Sequence, residues 1–504
     1  LITSAGDVHE EHLIRAPGSG TPLFRLPYGR SEDVTLAVDS ARRAQRVWQE
    51  RSVKDRARII ERFGDIVWRR RDDLLDILQL ETGKSRLDAL EEVSDVLLNI
   101  QYYVPAALAL LAPSRKRPAV PLLTRVDVHH RPVGVVGAIL AWNYPLTLTI
   151  SDALPALLAG NAVVLKPARE TTLTALLGKL LLHEAGLPPD LFQVVPGTGP
   201  DVGTALIDAV DFLQFTGSTA VGKDVAARAA GRLIRSSMEL GGKNPMIVCD
   251  DAPLERAVSG IIKGCFSNAG QLCIAFERLY VQRGIYDDLM TQLLERIRQI
   301  RLSADTEFGA DFEMGSLISK KQLDAVRSHV EDARSKGARV LTGGRHRPDI
   351  GPLFYEPTVL EGVTPESLAY REETFGPVVS VYPFDSDEEA VRLANDSTYG
   401  LNASVWSSDI ERARRIATRI ECGTVSINEA YAAMWSAIDA PMGGMKESGM
   451  GRRHSDEGLL KYTEPQSVIT QRFHPVAPPA GLSLRVYARI IGTFVRARRL
   501  LPGH

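Results

Sequence analysis

Hydrophobic residues in the first hundred positions recur every three to four residues, which is the period of a helix buried on one face. They follow a lead-in over residues 1–30 that has no sustained period and is expected to be extended. The pattern stops at Gly83, which suits a helix C-terminus, and again at Pro105, which cannot continue a helix. It predicts helices over residues 31–48, 56–69, 72–82 and 86–103.

Short apolar runs replace the helical pattern further along the chain. They cover residues 133–140, 162–165, 192–195, 212–215 and 246–248, and helical stretches such as 172–185 and 220–230 lie between them. Strands separated by helices of this length form βαβ units and a parallel sheet. A second series of strands and helices extends from residue 253 to about residue 428. The fold class is therefore α/β.

Two segments outside these series have the pattern of half-exposed strands. Residues 125–129 alternate polar and apolar side chains, and residues 467–470 are their natural counterpart near the end of the chain. We expect these segments to pair as an arm that stands apart from the helices.

The composition limits the class of protein. A chain of 504 residues with 44% hydrophobic residues is an ordinary globular protein of two or three domains. Its net charge of -2 gives no general attraction for nucleic acid. No apolar run reaches the ~20 residues of a membrane-spanning helix, and the first residues do not form a signal peptide. We expect a cytoplasmic protein.

Four cysteines in a chain of this length do not form a disulfide framework. Three of them have the sequence context of small packing residues: Cys249, Cys265 and Cys422. Cys273 differs, because it lies in the short turn Gly270-Gln271-Leu272-Cys273 rather than in an apolar run. A reduced, cytosolic setting would suit a reactive thiolate at this position.

Histidine clustering gives no sign of a metal site. His129 and His130 are adjacent on a predicted strand and point to opposite faces, while His9 and His12 lie in the irregular lead-in. We expect no bound metal.

A carboxylate precedes a flexible glycine pair in Met238-Glu239-Leu240-Gly241-Gly242. Glu239 follows an apolar strand end, so a buried functional position is favoured over an ordinary surface carboxylate. A cysteine that attacks a carbonyl carbon needs a base to activate water afterwards. Cys273 and Glu239 are therefore the candidate nucleophile and base.

Two segments are candidates for binding a dinucleotide. The sequence from Gly217 to Gly222 lies between a strand and a helix, where a pyrophosphate would meet backbone N–H groups, although its middle position is threonine. Lys166 ends a strand before Pro167 and would project from the carboxyl edge of the sheet. Taken alone, the first segment is more typical of a capped helix start, and Lys166 is more typical of an exposed lysine.

An ordered set of motifs resembles the aldehyde dehydrogenase superfamily over about residues 31–473. The motifs are Trp142-Asn143-Tyr144-Pro145, Leu165-Lys166-Pro167-Ala168, Phe215-Thr216-Gly217-Ser218-Thr219, Glu239-Leu240-Gly241-Gly242-Lys243-Asn244-Pro245, Gly270-Gln271-Leu272-Cys273, Glu372-Glu373-Thr374-Phe375-Gly376-Pro377 and Gly443-Gly444-Met445-Lys446-Glu447-Ser448-Gly449. The resemblance implies a Rossmann-type dinucleotide-binding domain, an α/β catalytic domain and a small β oligomerisation arm. It also implies oxidation of an aldehyde through a thiohemiacetal and a thioester.

Catalytic roles are carried over by resemblance to three residues. Cys273 would be the nucleophile and Glu239 the base that hydrolyses the thioester. The Asn143 side-chain amide and the Cys273 backbone N–H would hold the developing alkoxide, a contribution of ~3 kcal/mol in comparable sites.

Cofactor contacts are implied in the same way. Lys166 would bind the adenosine ribose, Glu373 the nicotinamide ribose, and Phe375 would border the nicotinamide ring. The full predicted set is Trp142, Asn143, Lys166, Pro167, Ala168, Arg169, Gly217, Ser218, Gly222, Leu240, Glu373 and Phe375. Arg169 stands where NAD-using members carry a glutamate, and an arginine there could bind a 2′-phosphate. We therefore expect NADP, with NAD as the alternative.

The predicted domains follow from the resemblance. They are a dinucleotide-binding domain at 1–121 and 138–240, a catalytic domain at 241–450, an oligomerisation arm at 122–137 and 451–473, and a tail at 474–504. The arm implies a homo-oligomer, either a dimer or a tetramer.

A narrower resemblance is to actinobacterial succinate-semialdehyde dehydrogenases. It rests on Gln79-Leu80-Glu81-Thr82-Gly83-Lys84, Pro121-Leu122-Leu123-Thr124-Arg125, Glu277-Arg278-Leu279-Tyr280-Val281, Ala440-Pro441-Met442 and Gly451-Arg452-Arg453-His454. Other members carry a substrate-binding arginine near the position of Ser151, which Asp152 follows here. The alternative is therefore an apolar aldehyde, bordered by Met434 and Trp435.

Two other functions compete with aldehyde oxidation. A CoA-acylating semialdehyde dehydrogenase would not need the base Glu239. A non-catalytic scaffold would not need the set Cys273, Glu239 and Asn143.

The tail has the pattern of a basic amphipathic helix. Apolar residues recur at helical spacing at Leu484, Tyr487, Ile491, Phe494 and Val495, and arginines occur among them without acidic residues. Residues 482–501 could contact an anionic membrane at its surface, or the apolar stripe could pack on the protein or on a neighbouring subunit.

Overall fold

The computed structural model describes Ile2 and residues 11–119, 123–303, 313–472 and 477–498. The α-helices are α1 (Ser31–Trp48), α2 (Val53–Arg69), α3 (Arg71–Thr82), α4 (Arg86–Leu110), α5 (Ala153–Leu158), α6 (Thr172–Glu184), α7 (Thr204–Ala209), α8 (Thr219–Gly231), α9 (Leu254–Phe266), α10 (Tyr286–Arg298), α11 (Lys320–Ser335), α12 (Leu368–Arg371), α13 (Asp387–Asn395), α14 (Ile410–Ala417), α15 (Ala432–Ser436), α16 (Ser455–Leu460) and α17 (Leu484–Arg498).

The strands are β1 (Glu11–Arg15), β2 (Pro22–Pro27), β3 (Ser114–Lys116), β4 (Thr124–Pro132), β5 (Val135–Ile139), β6 (Ala162–Lys166), β7 (Phe192–Val194), β8 (Phe212–Thr216), β9 (Arg235–Glu239), β10 (Asn244–Val248), β11 (Phe276–Gln282), β12 (Arg301–Leu302), β13 (Glu313–Met314), β14 (Arg339–Thr342), β15 (Thr358–Glu361), β16 (Val378–Phe384), β17 (Tyr399–Gly400), β18 (Asn402–Trp406), β19 (Thr424–Ile427), β20 (Met445–Lys446), β21 (Gly449–Met450) and β22 (Thr463–Gln471). The chain forms two compact units, one of Leu1–Leu111 with Arg131–Glu464 and one of Ala112–His130 with Pro465–His504.

The first large sheet of the larger unit has the strand order β21-β9-β8-β5-β6-β7. Its five long members are parallel, and only β21 joins antiparallel, through Gly449 opposite Glu239. The chain moves outward from β5 through β6 to β7 on one side and through β8 to β9 on the other. The strand order therefore reverses between β5 and β8, which is where sheets of this kind open a crevice at their carboxyl ends.

The second large sheet has the order β14-β15-β16-β11-β10-β18-β19 and is parallel except at β14. Its inner strand β10 is buried along its whole length. The run at 246–248, predicted among the strands of the first series, lies here between β11 and β18. The predicted parallel α/β architecture is confirmed.

Two sequence-based assignments near the N-terminus were wrong. The described end of the lead-in is an antiparallel hairpin of β1 and β2 rather than an irregular segment. The fourth helix does not stop before Pro105 but continues to Leu110. Val104 and Ala107, buried on either side of the proline, hold the helix by packing, and the exposed residue Gln101 carries the carbonyl that the proline leaves unbonded.

Helix α4 is also the one described helix that is long and apolar enough to cross a membrane by length and composition. Its buried side chains, among them Val93, Val96 and Tyr103, belong to the hydrophobic core of the first sheet. It is therefore a core helix.

The smaller unit contains a sheet of three strands in the order β22-β4-β3. The predicted pairing of the two arm segments is confirmed, because β4 and β22 are neighbours in this sheet. The outer strand β22 exposes Val468 and Ile469. The predicted tail helix is present as α17, whose apolar residues Leu484, Ile491 and Phe494 are exposed. Residues 473–476 and 499–504, which complete the predicted arm and tail, lie outside the described residues.

Candidate active site

Strand ends of the first sheet supply one side of the site. Trp142 and Asn143 follow β5, Lys166 ends β6, Gly217 follows β8 and Glu239 ends β9. Because these strands are parallel, their carboxyl ends meet at one edge of the sheet. Local strand and turn patterns thus bring together residues that are far apart in the sequence.

A strained loop supplies the other side of the site. Asn268, Ala269 and Gly270 have consecutive positive φ angles of 49°, 54° and 68°. At Gly270 a Cβ atom would lie 2.1 Å from the carbonyl oxygen of Gly376, so this position requires glycine. Three left-handed residues in a row are uncommon and are held here by the surrounding structure.

Side-chain amides fix the loop around Cys273. Asn244 Nδ2 donates to the carbonyl oxygens of Cys273 and Ala275, at 2.8 and 2.7 Å. Gln271 Oε1 accepts from the backbone N–H of Ile318 at 2.9 Å. These buried hydrogen bonds fix the backbone on both sides of the thiol.

The Asn143 turn is held by a buried ion pair. Lys84 Nζ lies 2.5 Å from Glu92 Oε1 and donates to the Asn143 carbonyl oxygen at 2.8 Å. Glu92 Oε2 accepts from the backbone N–H groups of Leu146 and Thr147. Both charged side chains are fully buried.

One hydrogen bond joins the two sides of the site. Asn268 Nδ2, from the cysteine loop, donates to the same Asn143 carbonyl oxygen at 3.1 Å. The positions of Asn143 and Cys273 therefore depend on each other.

The two sides enclose a cavity of about 380 Å³. Ten of the predicted site residues line it: Trp142, Asn143, Arg169, Gly217, Ser218, Glu239, Leu240, Cys273, Glu373 and Phe375. Four do not: Lys166, Pro167, Ala168 and Gly222. A Cβ atom on Gly222 would lie 2.3 Å from the Leu240 side chain, so this glycine allows α8 to pack closely on the strand end.

Electrostatics in the cavity differ between the thiol and the carboxylate. Burial, together with the carboxylates of Glu239 and Glu373, raises the pKa of Cys273 to about 12. Burial raises the pKa of Glu239 to about 7, against the opposing effect of Arg453. Glu239 Oε1 is buried and has no hydrogen-bond partner in the described part of the chain. At neutral pH the thiol is protonated, and Glu239 is the group able to exchange a proton.

Two aromatic pairs line the cavity. Phe375, with a strained φ of 51°, contacts Trp142 edge-on at 5.4 Å between ring centroids. Tyr144 stacks on Trp435 at 6.0 Å. The second pair, with Leu148, Ile274 and Met442, makes that part of the cavity wall largely apolar.

The cavity fits a dinucleotide in three respects. The N-cap residue of α8, Ser218, makes no side-chain capping bond, so this helix N-terminus faces the cavity uncapped. Thr216 Oγ1 is buried and lacks a hydrogen-bond partner among the described residues. Glu373, whose Oε1 accepts from the backbone N–H of Gly242 at 2.8 Å, presents a carboxylate suited to ribose hydroxyls. Burial raises its pKa to about 8.

Two basic residues lie near the end of β6. Lys166 Nζ donates to the carbonyl oxygen of Pro167, and burial lowers the lysine pKa to about 8. Arg169 is exposed and donates to Tyr28 Oη at 3.3 Å. The acidic residue Glu170, which also lines the cavity, is adjacent.

A second buried ion pair was not predicted from the sequence. Arg453 lines the cavity with Cys273 and Glu239, and its Nε donates to Asp152 Oδ1 at 2.8 Å. Ser151, at the position expected for a substrate-binding arginine, donates to Asp95 Oδ2 at 2.6 Å. In the sequence, Arg453 is distinguished only as part of the motif Gly451-Arg452-Arg453-His454, and its neighbours along the chain do not indicate a buried position.

Among the described residues, no group of three or more His, Cys, Asp or Glu side chains could hold a metal ion. His9 lies outside the described residues.

Comparison with known proteins identifies the class. The model of the aldehyde dehydrogenase family matches residues 4–468. A Mycolicibacterium smegmatis protein named "Putative succinate-semialdehyde dehydrogenase (NADP(+))" is 50% identical over 497 residues, covering 99% of this chain and 96% of its own. The 3-sulfolactaldehyde dehydrogenase of Pseudomonas putida is 36% identical, covering 91% of this chain and 93% of its own. A crystal structure of Staphylococcus aureus betaine aldehyde dehydrogenase with NAD+ has a TM-score of 0.89 at 33% identity and covers 96% of this chain and 95% of that one.

The chain belongs to the aldehyde dehydrogenase family. It is an NAD(P)-dependent oxidoreductase that oxidises a small aldehyde, so the predicted fold class, family and reaction are confirmed.

Proposed function

We propose that this enzyme oxidises succinate semialdehyde, or an acidic aldehyde of similar size, to the carboxylate with NADP. The observation that carries the catalytic assignment is the shared cavity of Cys273, Glu239 and Asn143. The names of the Mycolicibacterium and Pseudomonas relatives support an acidic aldehyde.

The Cys273 sulfur attacks the aldehyde carbon as the thiol proton passes to water, which gives a thiohemiacetal oxyanion. The Asn143 side-chain amide and the Cys273 backbone N–H hold the oxygen that becomes negative. A bound NAD(P) would supply the hydride acceptor, and loss of hydride from that carbon would leave a thioester on Cys273. Glu239 then takes a proton from water, the water oxygen bonds to the thioester carbon, and the carbon–sulfur bond breaks to release the carboxylate.

The dinucleotide would be held by residues from both large sheets. The N-terminus of α8 at Ser218 would bind the pyrophosphate, and Lys166, at the end of β6, and Glu373, which precedes β16, would bind the two ribose groups. Arg169 supplies the charge for a 2′-phosphate, which favours NADP, while the neighbouring Glu170 opposes it. In functional terms, residues 1–121 and 138–240 form the cofactor domain and residues 241–450 the catalytic domain.

An apolar aldehyde is the second candidate substrate, favoured by the wall of Tyr144, Leu148, Trp435 and Met442. Succinate semialdehyde and butanal have equal carbon chains and differ in the distal carboxylate, so kcat/KM for this pair separates the candidates. We expect at least about a tenfold preference for succinate semialdehyde, the size of one charge-assisted hydrogen bond. A preference for butanal would overturn the acidic substrate.

We also propose that the enzyme is a homo-oligomer formed through the arm at 122–137 and 451–473. An edge strand that exposes Val468 and Ile469 is suited to pairing or packing against a second copy. Light scattering on the purified protein should give a mass of at least twice 55.2 kDa. A monomer would contradict this proposal.

A cytoplasmic location with peripheral membrane contact through residues 482–501 is proposed from the exposed, arginine-rich α17. The full chain should float with anionic liposomes at low salt, whereas a chain ending at residue 473 should not. Equal flotation of both would assign the helix to packing within the assembly.

A further inference from the structure

Four charged side chains influence the pKa of Glu239. Arg453, Lys461 and Arg452 favour its ionised form, and Asp152 opposes them. The neighbouring ionisable group is the thiol of Cys273, whose pKa Glu239 raises. Glu239 itself is buried, and its Oε1 has no hydrogen-bond partner among the described residues. Its ionisation is therefore sensitive to these neighbouring charges.

We propose that Arg453, held by Asp152, is a positioning residue that keeps the Glu239 carboxylate ionised for hydrolysis of the thioester. This inference rests on the proposed role of Glu239 as the base. Because Arg453 also lowers the pKa of the Cys273 thiol, its effect on Glu239 is tested on hydrolysis of the thioester and not on attack by the thiol.

The backbone is built to bring Arg453 into the cavity. Strand β21 pairs with the end of β9, opposite Glu239, and the chain then turns back through Gly451. A Cβ atom on Gly451 would lie 2.7 Å from Ser237 Oγ, so the chain passes close to β9 at this point. His454 and Ser455 follow with strained φ angles of 59° and 49°. Strain of this kind persists where the surroundings enforce it, and here it directly follows the arginine.

Two interactions fix the arginine once it is there. Its backbone exchanges hydrogen bonds with Met442 at 2.7 and 2.9 Å. Its Nε donates to Asp152 Oδ1, which leaves the buried Oδ2 of that carboxylate without a partner in the described part of the chain. Of the two paired charges, Arg453 has the larger effect on the pKa of Glu239 and Asp152 the smaller.

Arg453 and Asp152 shift the pKa of Glu239 in opposite directions, which allows a specific test. Burial pushes the pKa of Glu239 up to about 7, and Arg453 is the largest opposing influence. Removing the arginine should raise that pKa further, and removing the Asp152 charge should lower it. A variant that merely disturbs the structure has no reason to produce shifts of opposite sign.

Hydrolysis of the acyl-enzyme can be measured without cofactor by using p-nitrophenyl acetate. The Cys273 thiolate attacks the ester carbon and p-nitrophenolate leaves, so that an acetyl thioester remains for water to hydrolyse. The steady release of nitrophenolate, divided by the acylated fraction from quenched-sample mass spectrometry, gives the hydrolysis rate constant at each pH.

We expect the pH at half-maximal hydrolysis to rise by roughly one unit in Arg453→Gln, because a single nearby charge shifts a carboxyl pKa by about 1–3 units. Asp152→Asn should lower it, and Arg453→Lys, which keeps the charge, should restore the wild-type profile. If Arg453→Gln does not fold, the shift in Asp152→Asn decides alone.

Arg56→Gln is the matched control. Arg56 is also a buried arginine, and its Nε donates to the Leu158 carbonyl oxygen at 2.9 Å, far from the cavity residues in the sequence. This variant should lose thermal stability without moving the pH profile.

Two outcomes would separate this inference from the proposed function. Hydrolysis that stalls in Glu239→Gln, with no shift in Arg453→Gln or Asp152→Asn, overturns the role of Arg453 alone. Hydrolysis that continues unchanged in Glu239→Gln overturns the base itself.

Discussion

The two sides of the active site are built by different means. On the first sheet, Lys166 and Glu239 end parallel strands, so the sheet itself brings them to one edge. On the second sheet, Cys273 lies in a strained loop before β11, held by side chains distant in the sequence, such as Asn244. The first arrangement follows from strand order and the second from specific hydrogen bonds.

This difference has a consequence for robustness. A strand end is positioned by many backbone hydrogen bonds and by a buried core, so one side-chain change has a limited effect. The cysteine loop and the Asn143 turn share a single carbonyl oxygen, to which both Lys84 and Asn268 donate. We expect the part of the site that depends on such buried polar contacts to be the more sensitive to substitution.

The largest loss of activity is expected when the nucleophile is removed. Cys273→Ala should lower turnover by more than about 1,000-fold while NADP still binds, because only the attacking sulfur is lost. Cys265→Ala is the control, since Cys265 is fully buried in the core of the second sheet and should retain activity. Aldehyde oxidation by Cys273→Ala near the wild-type rate would contradict the assignment.

Breaking the buried pair at the Asn143 turn should have the next largest effect. Lys84→Met leaves Glu92 as an unpaired buried charge, which costs about 3–5 kcal/mol in comparable pairs, and removes one of the two donors to the Asn143 carbonyl oxygen. We expect kcat to fall by about 10–100-fold, with a lower unfolding temperature.

Lys320→Met breaks the exposed pair with Asp324 and is the matched control, worth less than about 1 kcal/mol. Equal effects of the two lysine variants would mean that the Asn143 turn does not need the buried pair.

The pH dependence tests the Glu239 side of the comparison. Its folded pKa of about 7 predicts that the rate of thioester hydrolysis is maximal above that pH and falls about tenfold per pH unit below it. The reason is that the protonated carboxyl cannot accept a proton from water. The rate of thioester hydrolysis measured from pH 5 to pH 9 checks this. A flat profile down to pH ~5, near the usual range of glutamate, would contradict the raised value.

The smallest expected effect concerns the cofactor, since Arg169 is exposed and its guanidinium donates to Tyr28 Oη. Arg169→Glu should shift the ratio of kcat/KM for NADP over NAD by about tenfold toward NAD, because a carboxylate repels the 2′-phosphate. Arg345→Glu, an exposed change elsewhere, should leave the ratio unchanged. If the wild-type enzyme prefers NAD, the inference from this side chain is wrong.

The same contrast explains what could be predicted from the sequence. The parallel sheets followed from short apolar runs at regular spacing, and the placement of Glu239 followed from its position at a strand end. The pair Arg453–Asp152 could not be predicted, because it joins distant segments whose contact depends on the completed fold. Lys84 and Glu92 are close in the sequence, but the contact of Lys84 with the Asn143 turn depends on the completed fold in the same way. Residue spacing contains no information about such contacts.

The extension of α4 beyond Pro105 was missed for a related reason. A proline removes one helical hydrogen bond locally, and only the packing of Val104 and Ala107 in the assembled core makes the helix continue. Local propensity was outweighed by tertiary contacts.

The central claim is that Cys273 forms the thioester and Glu239 hydrolyses it. The most direct test is intact-protein mass spectrometry of Glu239→Gln, quenched shortly after mixing with NADP and the best aldehyde substrate. We predict one acyl group per chain on Cys273 and a matching burst of reduced cofactor, with little adduct in the wild-type enzyme. Steady turnover at the wild-type rate without accumulated adduct would contradict the account.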